Sequence, residues 1–333
     1  MEIKILKAGT GDSILIHHKK YNIVIDGGNE SKYLLSEIDE IFKNEEILNL
    51  LIITHHDDDH IKGIIDLLKH INENNYNKDI KFVEKVIFNS PRLVLGKISK
   101  NESNLLSYKQ AYEVEELLIR INTEWKQYKE GESIAFEDLR IDILSPTIED
   151  LEVYSLQNGV YLTSDNRCDW KSPMSILDKY MDDDSQDKSI PNKSSIVIRI
   201  ECEDKRVLLT GDVTPERLDD IMNKLSTVNE GNPVYFDLVK LPHHGSYRSL
   251  SKNILEKISC NNYIVSTNSR KHFLPNKRAL MKVLKYSNRF NNQPINFIFN
   301  YEEALNNLEI TKKEMNDYNF KLTPNNKNYG ISF

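Results

Sequence analysis

The sequence predicts a layered α/β protein, and three observations support this prediction. The apolar run at 47–53 is short and rich in Ile and Leu, which is typical of a buried strand. Apolar residues then recur at helical spacing over 61–71, which predicts a helix directly after that strand. A polar loop at 54–60 joins the two, and such loops usually carry the functional site of an α/β protein.

The other predicted elements follow in chain order. Two or three strands are predicted for 1–27, with Gly-containing turns at 8–13 and 26–28, and His17 and His18 are expected to be exposed at a hairpin tip. Helices are predicted at 31–46, 102–125 and 277–287, and strands at 83–88, 139–144, 196–200, 207–209, 238–241 and 263–266. Residues 290–333 contain only weak strand-like runs.

Length and composition narrow the class of protein. The 333 residues suffice for one large domain or two small ones. The net charge of −7 argues against a broad nucleic-acid-binding surface. No apolar run approaches the ~18 residues that a membrane span needs, so no membrane partner is expected. The dispersed cysteines Cys168, Cys202 and Cys260 indicate reduced thiols and favour a cytoplasmic location.

The loop at 55–60 consists entirely of imidazole and carboxylate donors. The adjacent carboxylates of Asp57, Asp58 and Asp59 repel one another unless a cation lies nearby. Imidazole and carboxylate groups bind Zn²⁺ or Mn²⁺, and each added carboxylate shifts the preference toward the harder ion. The loop therefore predicts a metal site, with a solvated acidic loop carrying chance histidines as the alternative.

The spacing of His55, Asp57, Asp59 and His60 resembles the metal-binding motif of the metallo-β-lactamase fold, with Asp57 in place of the usual second histidine. This variant, followed by Ile-Lys-Gly, resembles the branch that contains the hydrolase domain of the competence protein ComEC. The resemblance implies a four-layer αββα sandwich in which two mixed β-sheets are flanked by helices.

The same resemblance implies a domain organisation. It covers residues 1–285, with insertions at about 92–130 and 147–192. The second insertion is either a solvated loop or a cover over the mouth of the site. Residues 286–333 are left as a C-terminal extension that caps the domain or offers a surface to a protein partner.

Later segments resemble further motifs of the family in the expected order. The strand ending in Thr-Gly-Asp212 resembles the motif whose Asp bridges two metal ions. The run Pro-His243-His244-Gly-Ser246 resembles ComEC-like and phosphorylcholine-esterase-like members. The segment from His272 to Pro275 resembles the closing His-Pro segment of the family.

The resemblance implies a role for each of these residues. The implied metal ligands are His55, Asp57, Asp59, His60, Asp212 and His244. The implied catalytic residues are Asp59, His243 and His272, although the roles of His243 and His244 are interchangeable at this stage and His272 is either a ligand or a phosphate donor. Five further residues are expected to support the ligands or contact substrate, namely Asp12, Asp26, Asn192, Ser246 and Arg270; for Asp12 and Asp26 a plain turn role is the alternative.

One histidine of the usual family pattern is absent. Between His60 and His243 the sequence has only His70, which falls in the predicted helix, and the corresponding position lies near 192–195. Of the two expected divalent ions, Zn²⁺ or Mn²⁺, one is therefore expected to have fewer protein ligands, to bind weakly or to be absent. No organic cofactor is expected.

The implied function is metal-dependent hydrolysis of phosphodiester bonds, with a metal-bound hydroxide acting on DNA or RNA. Eight Lys and Arg residues and no Asp or Glu occur at 257–301, which indicates a basic rim for an anionic substrate, or else a solvated basic helix. Two alternatives stay open. One is a phosphodiesterase for a nucleotide or phosphocholine-like molecule, and the other is a non-catalytic regulatory protein that acts with a partner.

Overall fold

The computed structural model describes residues 1–78, 80–95, 106–155, 168–181 and 185–333. Its strands are β1 (Glu2–Leu6), β2 (Ile14–His18), β3 (Tyr21–Ile25), β4 (Leu48–Ile53), β5 (Val86–Phe88), β6 (Trp125–Lys126), β7 (Ser133–Phe136), β8 (Leu139–Ser145), β9 (Val197–Cys202), β10 (Lys205–Leu209), β11 (Val234–Tyr235), β12 (Leu238–Lys240), β13 (Ile258–Ser259), β14 (Asn262–Val265), β15 (Ile295–Phe299), β16 (Phe320–Thr323) and β17 (Gly330–Ser332).

The helices lie between these strands. They are α1 (Lys32–Lys43), α2 (Asp58–Glu73), α3 (Pro91–Leu95), α4 (Leu106–Arg120), α5 (Ile148–Ser155), α6 (Met174–Leu177), α7 (Ile190–Lys193), α8 (Pro215–Val228), α9 (Lys252–Leu255), α10 (Lys277–Tyr286), α11 (Glu302–Asn307) and α12 (Lys312–Asp317). Short 3₁₀ helices occur at Asp178–Tyr180, Pro242–Gly245, Tyr247–Ser249 and Phe290–Asn292. In the described parts of the chain, every helix is too short or too polar to cross a lipid bilayer.

Two large mixed sheets form the centre of the molecule. The first has the strand order β17-β1-β2-β3-β4-β5-β6, and the second has the order β16-β15-β14-β12-β10-β9-β8-β7. In each sheet an antiparallel part adjoins a parallel part: β3, β4 and β5 run parallel in the first sheet, and β10, β12, β14, β15 and β16 in the second.

Three apolar clusters show that the two sheets and the helices form four layers. The inner cluster contains residues of both sheets, such as Ile52 and Ile198, because alternate side chains of a strand point to opposite faces. A second cluster joins the outer face of the first sheet to α1, α2 and α4, and a third joins the outer face of the second sheet to α8 and α10. The predicted αββα sandwich is thus confirmed.

Helix α2 follows the polar loop as the sequence predicts. Its apolar residues at helical spacing, among them Ile61, Ile64 and Leu68, are buried against the first sheet. The acidic side chains in its first turn interact favourably with the positive end of the helix dipole. The helix also lies very close to the end of β3, since a Cβ on Gly63 would approach the carbonyl oxygen of Gly27 to 2.0 Å. The absence of side chains at Gly27 and Gly63 allows this close approach, which positions the donor loop at the start of α2.

The segment predicted as a C-terminal extension belongs to both sheets. Strands β15 and β16 continue the second sheet in parallel, and β17 pairs antiparallel with β1 at the edge of the first. The sheets continue across the predicted boundary at residue 285, because strands after it are hydrogen-bonded to strands before it.

Candidate metal centre

The predicted site residues gather where several strands of both sheets end. The donor loop follows β4, Asp212 follows β10, and the two adjacent histidines follow β12. The turns after β3 and before β2 bring Asp26 and Asp12 to the same place. Loops at the carboxyl ends of parallel strands are the usual location of a site in an α/β fold.

The imidazole of His60 is held from behind and directed toward the centre. Its Nδ1 lies 2.7 Å from Oδ2 of Asp26. Asp26 also accepts hydrogen bonds from the backbone N–H of Thr54 at 2.8 Å and from its hydroxyl at 2.6 Å. The free nitrogen, His60 Nε2, then lies 3.4 Å from Oδ1 of Asp212. Asp26 therefore has the supporting position that the family resemblance implies for it.

His244 is oriented in the same way from the opposite side. Its Nδ1 donates to the backbone carbonyl of Ser266 at 3.0 Å. Its Nε2 lies 3.2 Å from Oδ2 of Asp212 and 3.5 Å from Oδ2 of Asp59. Donor atoms 3.2–3.5 Å apart have the spacing of neighbouring ligands around one cation, because each ligand lies about 2.0–2.2 Å from the metal.

The backbone that carries the two adjacent histidines has an uncommon conformation. His243 and His244 have φ values of 46° and 55°, in the left-handed region that costs a non-glycine residue about 1 kcal/mol or more. The N–H of His243 donates to the carbonyl of Gly211 at 3.1 Å, which joins this turn to the turn that bears Asp212. Gly245, also left-handed, packs against Pro275, so its missing side chain makes room for that proline and not for a ligand.

A lysine lies inside the centre. Lys240 is the last residue of β12, and its side chain is fully buried. Its Nζ pairs with Oδ2 of Asp12, lies 3.6 Å from Oδ1 of Asp212 and donates to the carbonyl of Gly211 at 2.9 Å. Lys240 thus pairs with one oxygen of Asp12, while Oδ1 of Asp12 is buried and has no hydrogen-bond partner among the described residues.

The donor set fits a divalent cation. Asp12, His60, Asp212 and His244 each offer one atom, and these atoms lie within 4.8 Å of one another. His60 Nε2, His244 Nε2 and Asp212 Oδ1 are buried and have no hydrogen-bond partner among the described residues. Buried polar atoms are normally hydrogen-bonded, and a bound cation would satisfy all three at once.

His55 and Asp57 form a second group of donors beside the first. His55 Nε2 is buried without a hydrogen-bond partner in the described chain and lies 3.7 Å from Oδ2 of Asp57. Its Nδ1 lies 3.0 Å from the hydroxyl of Thr54. The rings of His55 and His60 are 4.2 Å apart between centroids, so the two groups adjoin.

His243 contacts a carboxylate that the sequence analysis missed. Its Nδ1 lies 3.0 Å from Oδ2 of Asp187, and its Nε2 lies 3.9 Å from Oδ2 of Asp212. Asn192 donates to Asp187 at 2.7 Å, and Oδ1 of Asn192 is buried with no hydrogen-bond partner in the described ranges. Asp187 belongs to an irregular polar segment without a recognisable motif, so only proximity in the fold reveals it.

Parts of the predicted insertion at 147–192 therefore contact the centre. Besides Asp187 and Asn192, Tyr154 in α5 places its hydroxyl 2.9 Å from Nδ1 of His56, the loop imidazole that faces away from the other donors. Residues 156–167 and 182–184 of this insertion lie outside the described residues.

Three predicted site residues are not joined to the donor group by a hydrogen bond or ion pair among the described residues. His272 is exposed in a loop, where partial burial and nearby His243 lower its pKa. Arg270 is exposed and lies 3.6 Å from Glu30. Ser246 is buried and donates its backbone N–H to the carbonyl of His243, so it stabilises the turn. His70 pairs with Asp39 on the surface of α2, so it does not replace the absent histidine.

The basic rim predicted from 257–301 is wrong for part of its residues. Lys277 and Lys282 are buried, and each donates to backbone carbonyl groups inside the protein. Arg289 does the same toward residues 318 and 319, and Lys285 pairs with Asp178. A count of charges along the sequence does not reveal depth, and long basic side chains can bury their stems while the charged group binds a carbonyl.

The ionisation of the centre is strongly coupled. Burial alone would lower the pKa of His60 and of His244, but Asp212 and the supporting carboxylates raise both pKa values well above the ordinary one. Burial would raise the pKa of Asp59, yet the same two imidazoles lower it. Burial and the neighbouring Asp59 raise the pKa of Asp57 to about 7. The clustered carboxylates therefore stay ionised only when positive charge, such as a protonated imidazole or a cation, lies beside them.

The comparisons with known sequences agree with the fold and the donor motif. A family model described as the metallo-β-lactamase superfamily matches residues 6–83, which contain the loop at 55–60. ComE operon protein 3 of Bacillus subtilis is 23% identical to the chain over 308 residues. This match covers 86% of the chain and 31% of that protein, so the chain spans about a third of the relative's length.

Solved structures with the same general fold have very different sequences. The metallo-β-lactamase fold protein YhfI from Bacillus subtilis has a TM-score of 0.47 and 9% identity, with 100% of this chain and 98% of that chain covered. Zn²⁺-bound PqqB from Methylobacterium extorquens has a TM-score of 0.49 and 9% identity, with coverages of 100% and 99%. Human tRNase Z, short form, has a TM-score of 0.44 and 8% identity, with coverages of 100% and 98%.

Proposed function

The chain has the metallo-β-lactamase fold of a superfamily of metal-dependent hydrolases, and from that premise we propose that it hydrolyses phosphodiester bonds, with DNA or RNA as the first substrates to test. The observation that carries the proposal is the convergence of buried, unpartnered donor atoms from His60, His244 and Asp212. A site with three such donors is costly to maintain unless it binds a cation.

We assign two groups of residues to two divalent ions, Zn²⁺ or Mn²⁺. Asp59, His60 and His244 would hold one ion, His55 and Asp57 the other, and Asp212 would contribute to both. When bound, such ions supply a polarised water molecule and neutralise negative charge on the phosphoryl oxygens. Asn192 supports the second ion as an oxygen donor in the region of the absent histidine. Oxygen in place of imidazole favours Mn²⁺ over Zn²⁺.

The proton required by the leaving group is assigned to His243. Asp187 accepts from Nδ1 of this ring, which leaves Nε2 facing Asp212 and the substrate space. Fixing one nitrogen in this way selects the tautomer and the orientation of the imidazole. Burial would lower the pKa of His243, but Asp212 and Asp187 raise it and so favour the imidazolium, which carries a proton on each nitrogen. The imidazolium can deliver its Nε2 proton to the departing oxygen and become the neutral ring, while Asp187 keeps Nδ1–H in place.

The charge of the site favours a phosphate group over a neutral carbonyl. Carboxylates of Asp12, Asp57, Asp59 and Asp212 surround the centre and draw cations into it. Cations held by several carboxylates can in turn hold the non-bridging oxygens of a phosphodiester. A neutral amide or thioester gains less from such an arrangement, because it carries no charge for the cations to neutralise in the ground state.

Replacement of Asp187 by Asn tests the role of His243. We expect kcat to fall by roughly 10- to 100-fold, because the imidazole loses the acceptor that orients it. Substrate affinity should change little, since Asp187 is placed behind the ring. Asp178→Asn, which removes an exposed carboxylate paired with Lys285, is the matched control and should leave kcat unchanged. An equal fall in both variants would contradict the assignment.

The proposed activity is tested with a metal and substrate panel. Purified protein is stripped with EDTA, reloaded with Zn²⁺, Mn²⁺ or Mg²⁺, and assayed on single-stranded DNA, duplex DNA, RNA and bis-p-nitrophenyl phosphate. We expect cleavage that depends on added metal and is strongest with Mn²⁺. Cleavage that survives EDTA unchanged would overturn the proposal. A protein that binds no metal and cleaves nothing would instead be the non-catalytic, partner-dependent member of the fold.

A small phosphodiester is the second candidate substrate. The burial and pairing of basic residues in 257–301 favour it. Two of the cations of 257–301, Lys277 and Lys282, are buried inside the protein, and Arg270 and Lys271 lie 3.6 Å and 3.9 Å from the carboxylates of Glu30 and Asp58. A long polyanion needs many free basic groups, whereas one phosphodiester needs only the centre itself. Turnover of bis-p-nitrophenyl phosphate without cleavage of any nucleic acid would select this candidate.

A further inference from the structure

A second group of metal-donor side chains lies at the other end of the sheets. His18 ends β2, Cys202 ends β9, and Asp138 lies in the turn between β7 and β8. His18 was predicted to be exposed at a hairpin tip. The structure instead buries both side chains together, with 3% and 2% of their surface exposed. The candidate metal centre lies near the start of β2, so the two groups are separate.

The geometry of this group resembles part of a tetrahedral site. Cys202 Sγ lies 3.7 Å and 3.9 Å from the two ring nitrogens of His18, and Nε2 of His18 lies 2.9 Å from Oδ1 of Asp138. One donor atom from each residue lies within 4.8 Å of the other two. Around tetrahedral zinc, a sulfur and a nitrogen ligand are about 3.5 Å apart. Small side-chain shifts would complete the arrangement.

The three residues come from both sheets of the sandwich. His18 belongs to the first sheet, while Cys202 and the turn that carries Asp138 belong to the second. Lys19 lies beside the group and pairs with Glu137 at 2.7 Å as well as with Asp138 at 2.6 Å. If Asp138 turned to a cation, Lys19 would retain its partner in Glu137. A cation here would therefore connect the two sheets without leaving a charge unpaired.

We propose that Cys202, His18 and Asp138 form a site for a thiolate-binding divalent cation such as Zn²⁺, with water as the fourth ligand. The thiol of Cys202 loses its proton to the solvent when the sulfur–metal bond forms, and His18 contributes a neutral nitrogen. The site has a structural role, because it links the sheets at the end that faces away from the proposed hydrolytic centre. It holds whether or not the chain hydrolyses phosphodiesters.

The test is a Co²⁺ titration of the full-length chain, because a thiolate ligand gives Co²⁺ an intense near-ultraviolet absorption that nitrogen and oxygen ligands do not. All proteins carry Cys168→Ser to remove the exposed thiol. We expect the band at saturation to have the intensity of one thiolate-bound Co²⁺ per chain. It should persist in Asp212→Asn, which alters only the other centre, and in Cys260→Ser, which removes a buried thiol whose sulfur donates to the backbone carbonyl of Asn262.

Two variants of the site itself should lose the signal. Cys202→Ser is expected to abolish the band, and Asp138→Asn, at an exposed position in a turn, is expected to weaken Co²⁺ binding by roughly tenfold or more. Zn²⁺ should raise the urea midpoint of the parent protein more than that of Asp138→Asn. The proposal is overturned if no thiolate band forms at saturating Co²⁺, or if Cys260→Ser removes the band while Cys202→Ser and Asp138→Asn leave it intact.

Discussion

The Asp212→Asn variant is expected to lose about a thousandfold or more of the proposed phosphodiesterase activity. Both oxygens of Asp212 face imidazole nitrogens of the centre, at 3.4 Å for His60 and 3.2 Å for His244. The amide cannot supply the shared negative charge that holds two cations together. Loss of several kcal/mol of charge stabilisation in the transition state corresponds to this fall in rate.

Metal content gives an independent measurement of the same variant. We expect the bound metal per chain, determined after dialysis, to drop by about one equivalent or more relative to the parent protein. Asp204→Asn, in the exposed turn between β9 and β10, is the matched control and should keep both activity and metal. Asp212→Asn with full metal content and full activity would show that the proposed centre is wrong, provided that its urea midpoint shows a folded protein.

Replacing Lys240 by Met is expected to destabilise the metal-free protein by about 3–5 kcal/mol, because it leaves buried carboxylates without their cation. Burial would lower the pKa of Lys240, but Asp12 and Asp212 outweigh that effect and raise it, so the lysine is charged in the folded protein. The Met side chain fills a similar volume, so the loss reports on charge. The measurement is the free energy of unfolding in urea with EDTA present.

Added Mn²⁺ should reduce this difference, since a cation bound to Asp212 supplies part of the missing positive charge. Lys205→Met removes an exposed lysine that lies 3.5 Å from Asp237, and it should change the free energy of unfolding by less than about 1 kcal/mol. A Lys240→Met variant as stable as Lys205→Met would mean that the buried pair contributes nothing to the fold.

The donor loop was predictable from sequence because its order of residues carries the information. A buried strand, six consecutive donors and an amphipathic helix fix both the position and the direction of the loop. Asp26 was predictable as a support for a similar reason, since it ends a strand adjacent to β4. The four-layer architecture was predictable because each sheet and each helix has apolar surface that must be buried against another layer. Sheets bury apolar faces, and helices bury one apolar stripe.

Asp187 and the burial of Lys240 could not be predicted in the same way. Asp187 lies in a segment without periodicity, and only the fold brings it to His243. Lys240 did carry a signal, since it directly follows Leu238 and Val239 in a short apolar strand, but charge alone suggested the surface. The side chains of Lys277 and Lys282 were misplaced for the same reason: the sequence gives their charge but not their depth.

The pairing of β17 with β1 covers an edge strand that is unpaired while the chain is being synthesised. Lys4 lies opposite Ser332, so these neighbours are separated by nearly the whole chain. During synthesis from the amino end, the outer edge of β1 has no strand to pair with until residues 330–332 emerge. An exposed edge of this kind invites pairing between molecules, so chains that lack β17 carry an aggregation risk that the pairing of β17 with β1 removes.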